Sequence, residues 1–363
     1  MTEHRLAGSG CPASWLALAA WLAVAPGVQA AEFLGPLRVS DEFLLTAGTM
    51  TVEPSPLELV AEGSWQAGVS VSIGNTFTRS RSVETALEAR TRRSPVDRAF
   101  LDRVDLESEV GEPLFFIDGE SLRTELRLRR GISEALEIEV RLPVVSLGGG
   151  VMDGLLEGFH RVASLDQDGR LGVPRNQSQI FLDLANGDLD LDPDTGATMS
   201  DPVIAVRRQQ RLREPGHRLL WEAIAKVPVG DEDKLASSGS ADLGLQAQWT
   251  TCGSRQCRFA AFNLRYLGEW KLLDLSRRLA PGLYAGLERR WGSASWVVQL
   301  VVAGTTLEGI QIDDLDSETW QLSGGIHKRF GDRYSMTAAL TENVAHFENG
   351  PDLRFHWAVR RDF

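Results

Sequence analysis

The sequence predicts an all-β protein, an antiparallel transmembrane β-barrel of about 12 strands (10–14) with long extracellular loops. Three features indicate this fold class. Apolar residues repeat with a period of two, long polar connections separate the repeating segments, and the last segment carries alternating aromatic residues. The repeating segments reach the ~9–11 residues that a tilted membrane strand needs, whereas strands of soluble sheets are usually ~5–6 residues long.

The clearest alternation lies in residues 121–142, where apolar and charged residues alternate before and after a short turn at Gly131. Two such segments joined by a short turn predict a β-hairpin. In a membrane barrel the apolar face contacts lipid and the polar face lines the lumen. The mixture of signs on the polar face predicts cross-strand ion pairs that close a narrow lumen. The charged positions are Arg123, Glu125, Arg127, Arg129, Glu137, Glu139 and Arg141.

Ten further segments resemble these two in length, which gives 12 strands, an even number of the kind found in bacterial barrels. Long polar connections near 80–118 and 146–200 fit extracellular loops, and short turns such as Gly331-Asp332 fit the periplasmic side. Most tryptophans fall near predicted strand ends, where membrane barrels carry aromatic girdles. The ten segments are 65–79, 202–211, 218–228, 241–250, 258–268, 282–291, 295–303, 319–329, 333–341 and 353–362.

The first 30 residues predict a signal peptide, so that residues 31–363 form a single β-barrel domain. An uncharged apolar stretch from Ala13 to Ala25 is too short to span a bilayer, which takes ~20 residues. The small residues that follow it, up to Ala30, predict cleavage after Ala30. We therefore expect the protein in the outer membrane of a Gram-negative bacterium.

The C-terminal segment predicts a partner. Phe355, Trp357 and Val359 alternate before the terminal Phe363, although Arg361 stands where an apolar residue is usual. A last strand of this kind resembles the signal that the outer-membrane barrel-assembly machinery reads. We therefore expect two partners, outer-membrane lipid and this machinery. The formal net charge of −12 argues against nucleic acid, because phosphate binding relies on basic patches.

The segment from Leu142-Pro143 to His160 resembles a pattern in domain-of-unknown-function family 3187, an uncharacterised family of exported, barrel-like proteins. In that family a strand ending in Leu-Pro leads to paired glycines, an Asp, an acidic residue and a His. The resemblance extends over most of the chain after residue 30, and it implies no known activity. The matching positions are Gly149, Gly150, Asp153, Glu157 and His160.

The two acidic residues and the histidine of this motif are spaced four and three apart, so a short helix would bring them to one face. Such a face could hold a metal or act as a His–carboxylate acid/base pair. The preferred alternative is an amphipathic loop helix that packs Val151, Leu155 and Phe159 on the barrel rim and turns its polar residues to water. A metal site needs further ligands that the segment lacks. No catalytic, cofactor-binding or metal-binding residue is therefore assigned.

Cys252 and Cys257 flank a four-residue turn between two predicted strands. An exported chain meets oxidising conditions, and the third cysteine, Cys11, would be removed with the signal peptide. The pair predicts a structural disulfide at a hairpin tip, since a Cys-x4-Cys pair is at best half of a zinc site.

The predicted function is that of an outer-membrane barrel, not an enzyme, which forms a channel for small solutes or a structural barrel with a filled lumen. Two alternatives remain. An outer-membrane lipid-modifying enzyme would use His160 as a base beside a nucleophilic serine, for which Ser146 and Ser164 are nearest in sequence. A soluble periplasmic β-protein would keep its tryptophans in a core.

Overall fold

The computed structural model describes residues 33–107, 113–164, 166–184, 187–214 and 216–363. Their long strands form one antiparallel sheet, and three short strands join its rim: β4 (Gln179–Leu182), β5 (Leu189–Leu191) and β6 (Gly196–Met199). The twelve long strands are β1 (Trp65–Arg79), β2 (Phe115–Ser133), β3 (Leu136–Gly148), β7 (Val203–Arg211), β8 (His217–Lys226), β9 (Asp242–Cys252), β10 (Gln256–Leu267), β11 (Arg278–Trp291), β12 (Ala294–Ala303), β13 (Thr319–Phe330), β14 (Tyr334–Ala345) and β15 (Leu353–Asp362).

The sheet closes into a barrel because β1 pairs on one side with β2 and on the other with β15. The pairing with β15 runs from Gln66↔Asp362 to Asn75↔Leu353. The predicted fold class and strand number are confirmed, since each predicted segment overlaps one barrel strand. The main difference is β2, which begins at Phe115 and not at residue 121. Residues 115–121 are buried on both faces, so they lack the alternation from which the strand was predicted.

The connections differ in length between the two ends of the barrel. Short turns such as 292–293 and 331–333 lie at the end where the chain finishes, and Phe363 there donates a backbone hydrogen bond to Trp65 O at 2.8 Å. In bacterial barrels the short turns are periplasmic and the long loops extracellular, and we name the ends accordingly. The extracellular connections carry three helices, α1 (Arg81–Glu88), α2 (Arg98–Glu107) and α3 (Asp153–Ala163).

The outer face of the barrel is apolar. Side chains such as Val69, Leu245 and Leu283 are about half exposed there, and Trp65 and Trp291 stand at the periplasmic ends of their strands. The prediction for the tryptophans is wrong for Trp270, which is buried in an extracellular loop, and Trp221 and Trp357 lie within their strands. Among the described residues, no helix is long and apolar enough to cross a membrane.

Residues 33–62, which we call the plug, run inside the barrel. The chain lies near Glu288 at the periplasmic end of β11, rises to a short 3-10 turn at Leu44–Thr46, and descends again to β1. The rising limb (33–42) and the descending limb (48–62) thus form an inverted U within the lumen. The predicted signal segment 1–30 lies outside the described residues.

Candidate functional site: the lumen and its plug

The inner wall of the barrel carries charged residues of both signs, which pair with one another. Arg207 on β7 is fully enclosed, and its guanidinium lies 2.9 Å from Glu137 and 2.8 Å from Glu139 on β3. It also lies 2.7 Å from Glu222 on β8. Arg129 on β2 is 2.7 Å from Glu137. The prediction that the charged face of the β2–β3 hairpin points into the lumen and forms cross-strand ion pairs is confirmed.

The rising limb of the plug is held mainly through its backbone. Glu288 accepts hydrogen bonds from the backbone N–H groups of residues 34 and 35 at 3.1 and 2.7 Å. Gln299 both donates to and accepts from the backbone of Leu37, each at 3.0 Å. These side chains satisfy backbone groups that have no strand partner, as buried peptide groups require. The wall therefore compensates for the missing sheet bonds of the plug.

The descending limb is held in the same way by other strands of the wall, β9 and β3. The N–H of Met50 donates to Asp242 at 3.0 Å, and the N–H of Val60 donates to Glu137 at 2.7 Å. The limb then meets β2 through a bridge between Glu62 and Gly131. Because the descending limb is bonded at both ends, its position along the barrel axis is fixed.

The two limbs are also joined to the wall by charged side chains. Arg38 donates to both oxygens of Glu139 at 2.7 Å, and Arg127 donates to both oxygens of Glu53 at 2.6 Å. Glu53 additionally lies 3.5 Å from both Arg38 and Arg141. Bidentate carboxylate–guanidinium pairs are strong and geometrically specific. The carboxylate of Glu53 thus contacts three guanidinium groups and holds the descending limb to the wall. We call Glu53 the central latch of the plug.

An apolar cap closes the extracellular end of the lumen. Phe43, Leu44 and Leu45 at the top of the plug are fully buried among side chains from the wall and from extracellular loops. Burial of this kind is worth roughly 1.5–3 kcal/mol per large apolar side chain. The residues packed around them include Phe115, Ile117, Leu147, Ile180, Leu235, Trp270, Leu273, Leu275, Leu307, Ile310, Ile312 and Leu315.

Small cavities remain between the plug and the wall. One of about 50 Å³ lies in the extracellular half and one of about 60 Å³ in the periplasmic half. The periplasmic cavity shares Leu34, Gln66, Arg129 and Arg360 with a wider vestibule of about 440 Å³ at the periplasmic mouth. The upper cavity is lined by groups such as Asp41, Asn263, Arg265, Thr305, Gln321 and Asn349.

Arg354 on β15 stands between the two cavities. Its guanidinium donates to Ser40 O of the plug and, at 2.7 Å, to Gln321 Oε1 on β13. Gln321 lines the upper cavity, whereas the neighbouring His356 lines the lower one. Arg354 therefore bridges the plug and the wall at a height between the residues that line the two cavities.

The structure separates the residues of the sequence motif at 149–160. Asp153 accepts from Arg170 at 3.0 Å, and Glu157 accepts from Arg93 at 2.7 Å and from Arg175. Burial raises the pKa of Glu157, but the hydrogen bonds and charges of these two arginines outweigh it and hold the pKa below its ordinary value.

His160 does not join these carboxylates, because its Nδ1 lies 2.6 Å from the carbonyl oxygen of Asp166. Among the described residues no group of three His, Cys, Asp or Glu side chains could hold a metal ion. The preferred interpretation of this helix was wrong about its faces. Val151, Leu155 and Phe159 are exposed, whereas the acidic side chains are turned to the protein, where arginines attract them.

Cys252 and Cys257 form a directly opposed pair at the periplasmic end of the β9–β10 hairpin. Their Cα atoms lie 4.1 Å apart and the side chains are joined by a disulfide. The bond closes the tight turn 253–255, and the side chain of Cys257 is fully buried on the inner face. The disulfide is therefore part of the barrel wall, and neither cysteine belongs to the plug.

Sequence reasoning missed the plug, although it contains the main lumen contacts. Residues 33–62 show no period of two, and Pro36, Pro54 and Pro56 interrupt any strand. A signal was nonetheless present: a segment of this length, rich in Leu and Phe and carrying Arg38 and Glu53, precedes the first strand of a barrel. Such a segment must bury its apolar residues somewhere, and the lumen offers partners for its charges.

Residues 108–363 match the model of a family described as "Protein of unknown function (DUF3187)". The chain belongs to this family. The resemblance stated for residues 142–160 is thus confirmed. None of the curated proteins matches this chain.

Among solved structures the chain is similar to the COG4313 outer membrane channel from Pseudomonas putida F1, with a TM-score of 0.53 and 16% identity over 86% of this chain and 100% of that one. The KdgM porin is less similar, with a TM-score of 0.38 and 7% identity over 69% of this chain and 96% of that one. The first likeness shows that the chain has the fold of an outer-membrane channel barrel. The prediction of a barrel that is not an enzyme agrees with this fold.

Proposed function

We propose that the protein is an outer-membrane channel for ions and small solutes, in which the plug leaves only a narrow path. The observation that carries the proposal is the series of cavities between the plug and the wall, each lined in part by polar side chains, at successive heights from the periplasmic vestibule toward the extracellular loops. A barrel with a purely structural role would gain most by filling this space with packed side chains, since unfilled volume costs stability.

The path would begin in the vestibule, pass Arg129 and Arg360, and reach the lower cavity beside His356. Arg354 then narrows the way to the upper cavity through its bonds to Ser40 and Gln321. Cavities of about 50 to 60 Å³ hold one or two water molecules, since a water occupies ~30 Å³ in the liquid. Only small solutes could pass, and Arg354 is the narrowest point.

Planar bilayers test this proposal. We expect small, reproducible conductance steps from the purified protein, and larger steps from Arg354→Ala, because the shorter side chain joins the two cavities. Arg208→Ala is the matched control, since Arg208 is exposed on the outer face of β7. Absence of steps in all three proteins would contradict the channel and favour a structural barrel.

We propose further that the protein reaches the outer membrane of a Gram-negative bacterium after cleavage near Ala30. Phe33 lies at the periplasmic mouth, where Arg290 stacks over its ring at 4.2 Å. A cleavage site shortly before Phe33 would therefore lie on the periplasmic side of the barrel. The mass of the purified protein tests the cleavage site. The exposed Phe363 fits recognition by the assembly machinery, and its deletion should lower surface levels while export continues.

A further inference from the structure

Helix α3 begins against the outer face of the barrel wall. The N–H groups of Val151 and Met152 donate to Glu120 on β2, and Asp153 accepts from Asn75 on β1 at 3.3 Å. Asn75 and Glu120 are register partners. They continue the outward-facing rows that contain Ile73 and Leu122, because side chains two residues apart share a face. The start of α3 therefore lies just above the apolar outer surface of the β1–β2 pair.

The other end of α3 lies at the same height, two strands away. Arg170 joins Asp153 to Asp352, which directly precedes β15, and the His160 ring lies near enough to Asp352 and Glu342 for an electrostatic interaction with each. Glu342 belongs to the outward-facing row of β14 that includes the exposed Val344.

The strand registers show that the two ends of α3 lie at similar heights on the barrel. Thr341 of β14 pairs with Arg354, and the preceding residue Leu353 pairs with Asn75 of β1. Crossing from β1 over β15 to β14 takes about 10 Å at ~4.8 Å per strand. The seven steps along the chain from Asp153 to His160 rise about 10 Å in a helix. Both estimates agree with a helix that runs around the barrel, parallel to the membrane plane.

The outward face of α3 is apolar and uncovered. Val151, Leu155, Phe159 and Val162 are 80%, 57%, 41% and 87% exposed, whereas Asp153 and Glu157 point to the protein. Gly154 and Gly158, on the same side, have open space beside them. A contiguous apolar face of this kind on an otherwise charged loop layer marks a contact surface.

We propose that α3 is an interfacial anchor whose apolar face lies among the lipid acyl chains of the outer leaflet. Continuity with the lipid-facing surface of the barrel identifies lipid as the occupant, because the helix starts where that surface ends on β1 and β2 and its His160 lies near Glu342 on β14. Amphipathic helices lie in this way with the apolar face ~5–10 Å below the headgroup boundary. Arg161, exposed on the same helix, would contact headgroup phosphates.

Site-specific fluorescence tests the anchor in the folded full-length protein. Single cysteines replace Leu155 or Phe159 in a Cys11→Ser background and carry a nitrobenzoxadiazole label, while Cys252 and Cys257 are joined in the native disulfide. The protein is reconstituted in vesicles that contain dibrominated phosphatidylcholine, which quenches only within the acyl chains. Leu106→Cys is the control. Leu106 is an exposed leucine on α2, a helix that packs around Phe77 and Phe116, farther out along β1 and β2.

We expect several-fold stronger quenching by the brominated lipid at positions 155 and 159 than at 106, and the reverse order with aqueous iodide. Equal iodide quenching at the three positions would overturn the anchor, since it places α3 in water. Protection from both quenchers, together with cross-linked dimers, would overturn it in favour of a second copy of the chain. Heat-modifiable gel mobility of each labelled sample verifies that the barrel is folded.

Discussion

The plug and helix α3 are both held by carboxylate–guanidinium pairs, the plug to the barrel wall and α3 to extracellular loops, but they face opposite surroundings. The plug is enclosed on all sides, so its apolar and charged groups must both find partners in the lumen. Helix α3 turns its acidic residues and Leu156 to the protein and leaves the apolar side with Leu155 and Phe159 exposed. In both the plug and α3, the charge pairs determine where the segment is attached. The apolar side chains determine whether protein or lipid surrounds the segment.

The largest effect is expected from Glu53→Gln, which removes the central latch of the plug. The change leaves Arg38, Arg127 and Arg141 without their shared anion in an enclosed site, and breaking such a buried pair costs about 3–5 kcal/mol. We expect the folded form to be lost at a lower temperature in heat-modifiable mobility, and conductance to increase. Glu62→Gln is the control, because Glu62 is exposed. Identical behaviour of the two variants would show that the latch does not hold the plug.

A smaller and local effect is expected from Glu157→Gln, which weakens the attachment of α3 to Arg93 and Arg175. Hydrogen bonds to charged groups contribute about 1.5–3 kcal/mol, and here they hold a loop and not the barrel. Proteolysis within residues 149–202 should become faster while the heat-modifiable mobility stays unchanged. A shift in that mobility would mean that α3 and the barrel unfold together, which would contradict the view that Glu157 holds only a loop. Glu88→Gln on the exposed side of α1 is the control.

The same pair predicts a pH dependence with a definite sign. Because the folded pKa of Glu157 lies below its ordinary value of 4.5, the ionised carboxylate stabilises the docked helix above that pH. The contribution is lost as the pH falls through the folded pKa. Protection of α3 from proteolysis at acidic pH should therefore decline in the natural chain, and Glu157→Gln should abolish that part of the decline.

The smallest effect is expected from replacing Cys252 and Cys257 by serine. The disulfide closes a short loop, so the entropy that it removes from the unfolded chain corresponds to about 2 kcal/mol. The twelve paired strands remain, and the variant should still insert, with a more protease-sensitive turn at 253–255. Thiol labelling of the natural protein should find no free cysteine before reduction. Ready labelling of both thiols without a reductant would contradict the bond.

The strands could be predicted from the sequence because a two-faced barrel wall imposes a period of two. Leu122, Leu126 and their charged neighbours reveal both faces at once. The alternation of apolar and polar residues is absent where a strand is covered on both faces, as in residues 115–121. It is also absent from the plug. The partners of the plug are far away in sequence, such as Leu37 with Gln299, so no local pattern encodes them.

The faces of α3 could not be predicted for a different reason. The spacing of its acidic residues and His160 is compatible with either orientation of the helix. The arginines that decide the orientation, Arg93, Arg170 and Arg175, come from loops whose path only the fold determines. The usual expectation that apolar residues turn inward fails where the surroundings are lipid.

The central claim is that residues 33–62 occupy and narrow the lumen, and thiol accessibility at Ser55 tests it most directly. Ser55 is fully buried in the descending limb beside Glu222, whereas Ser276 is exposed in an extracellular loop. In the folded protein we expect Ser276→Cys to react with a bulky, hydrophilic maleimide and Ser55→Cys to react only after unfolding. Adding Glu53→Gln should make position 55 reactive. Equal rates at positions 55 and 276 in the folded single variants would contradict the account.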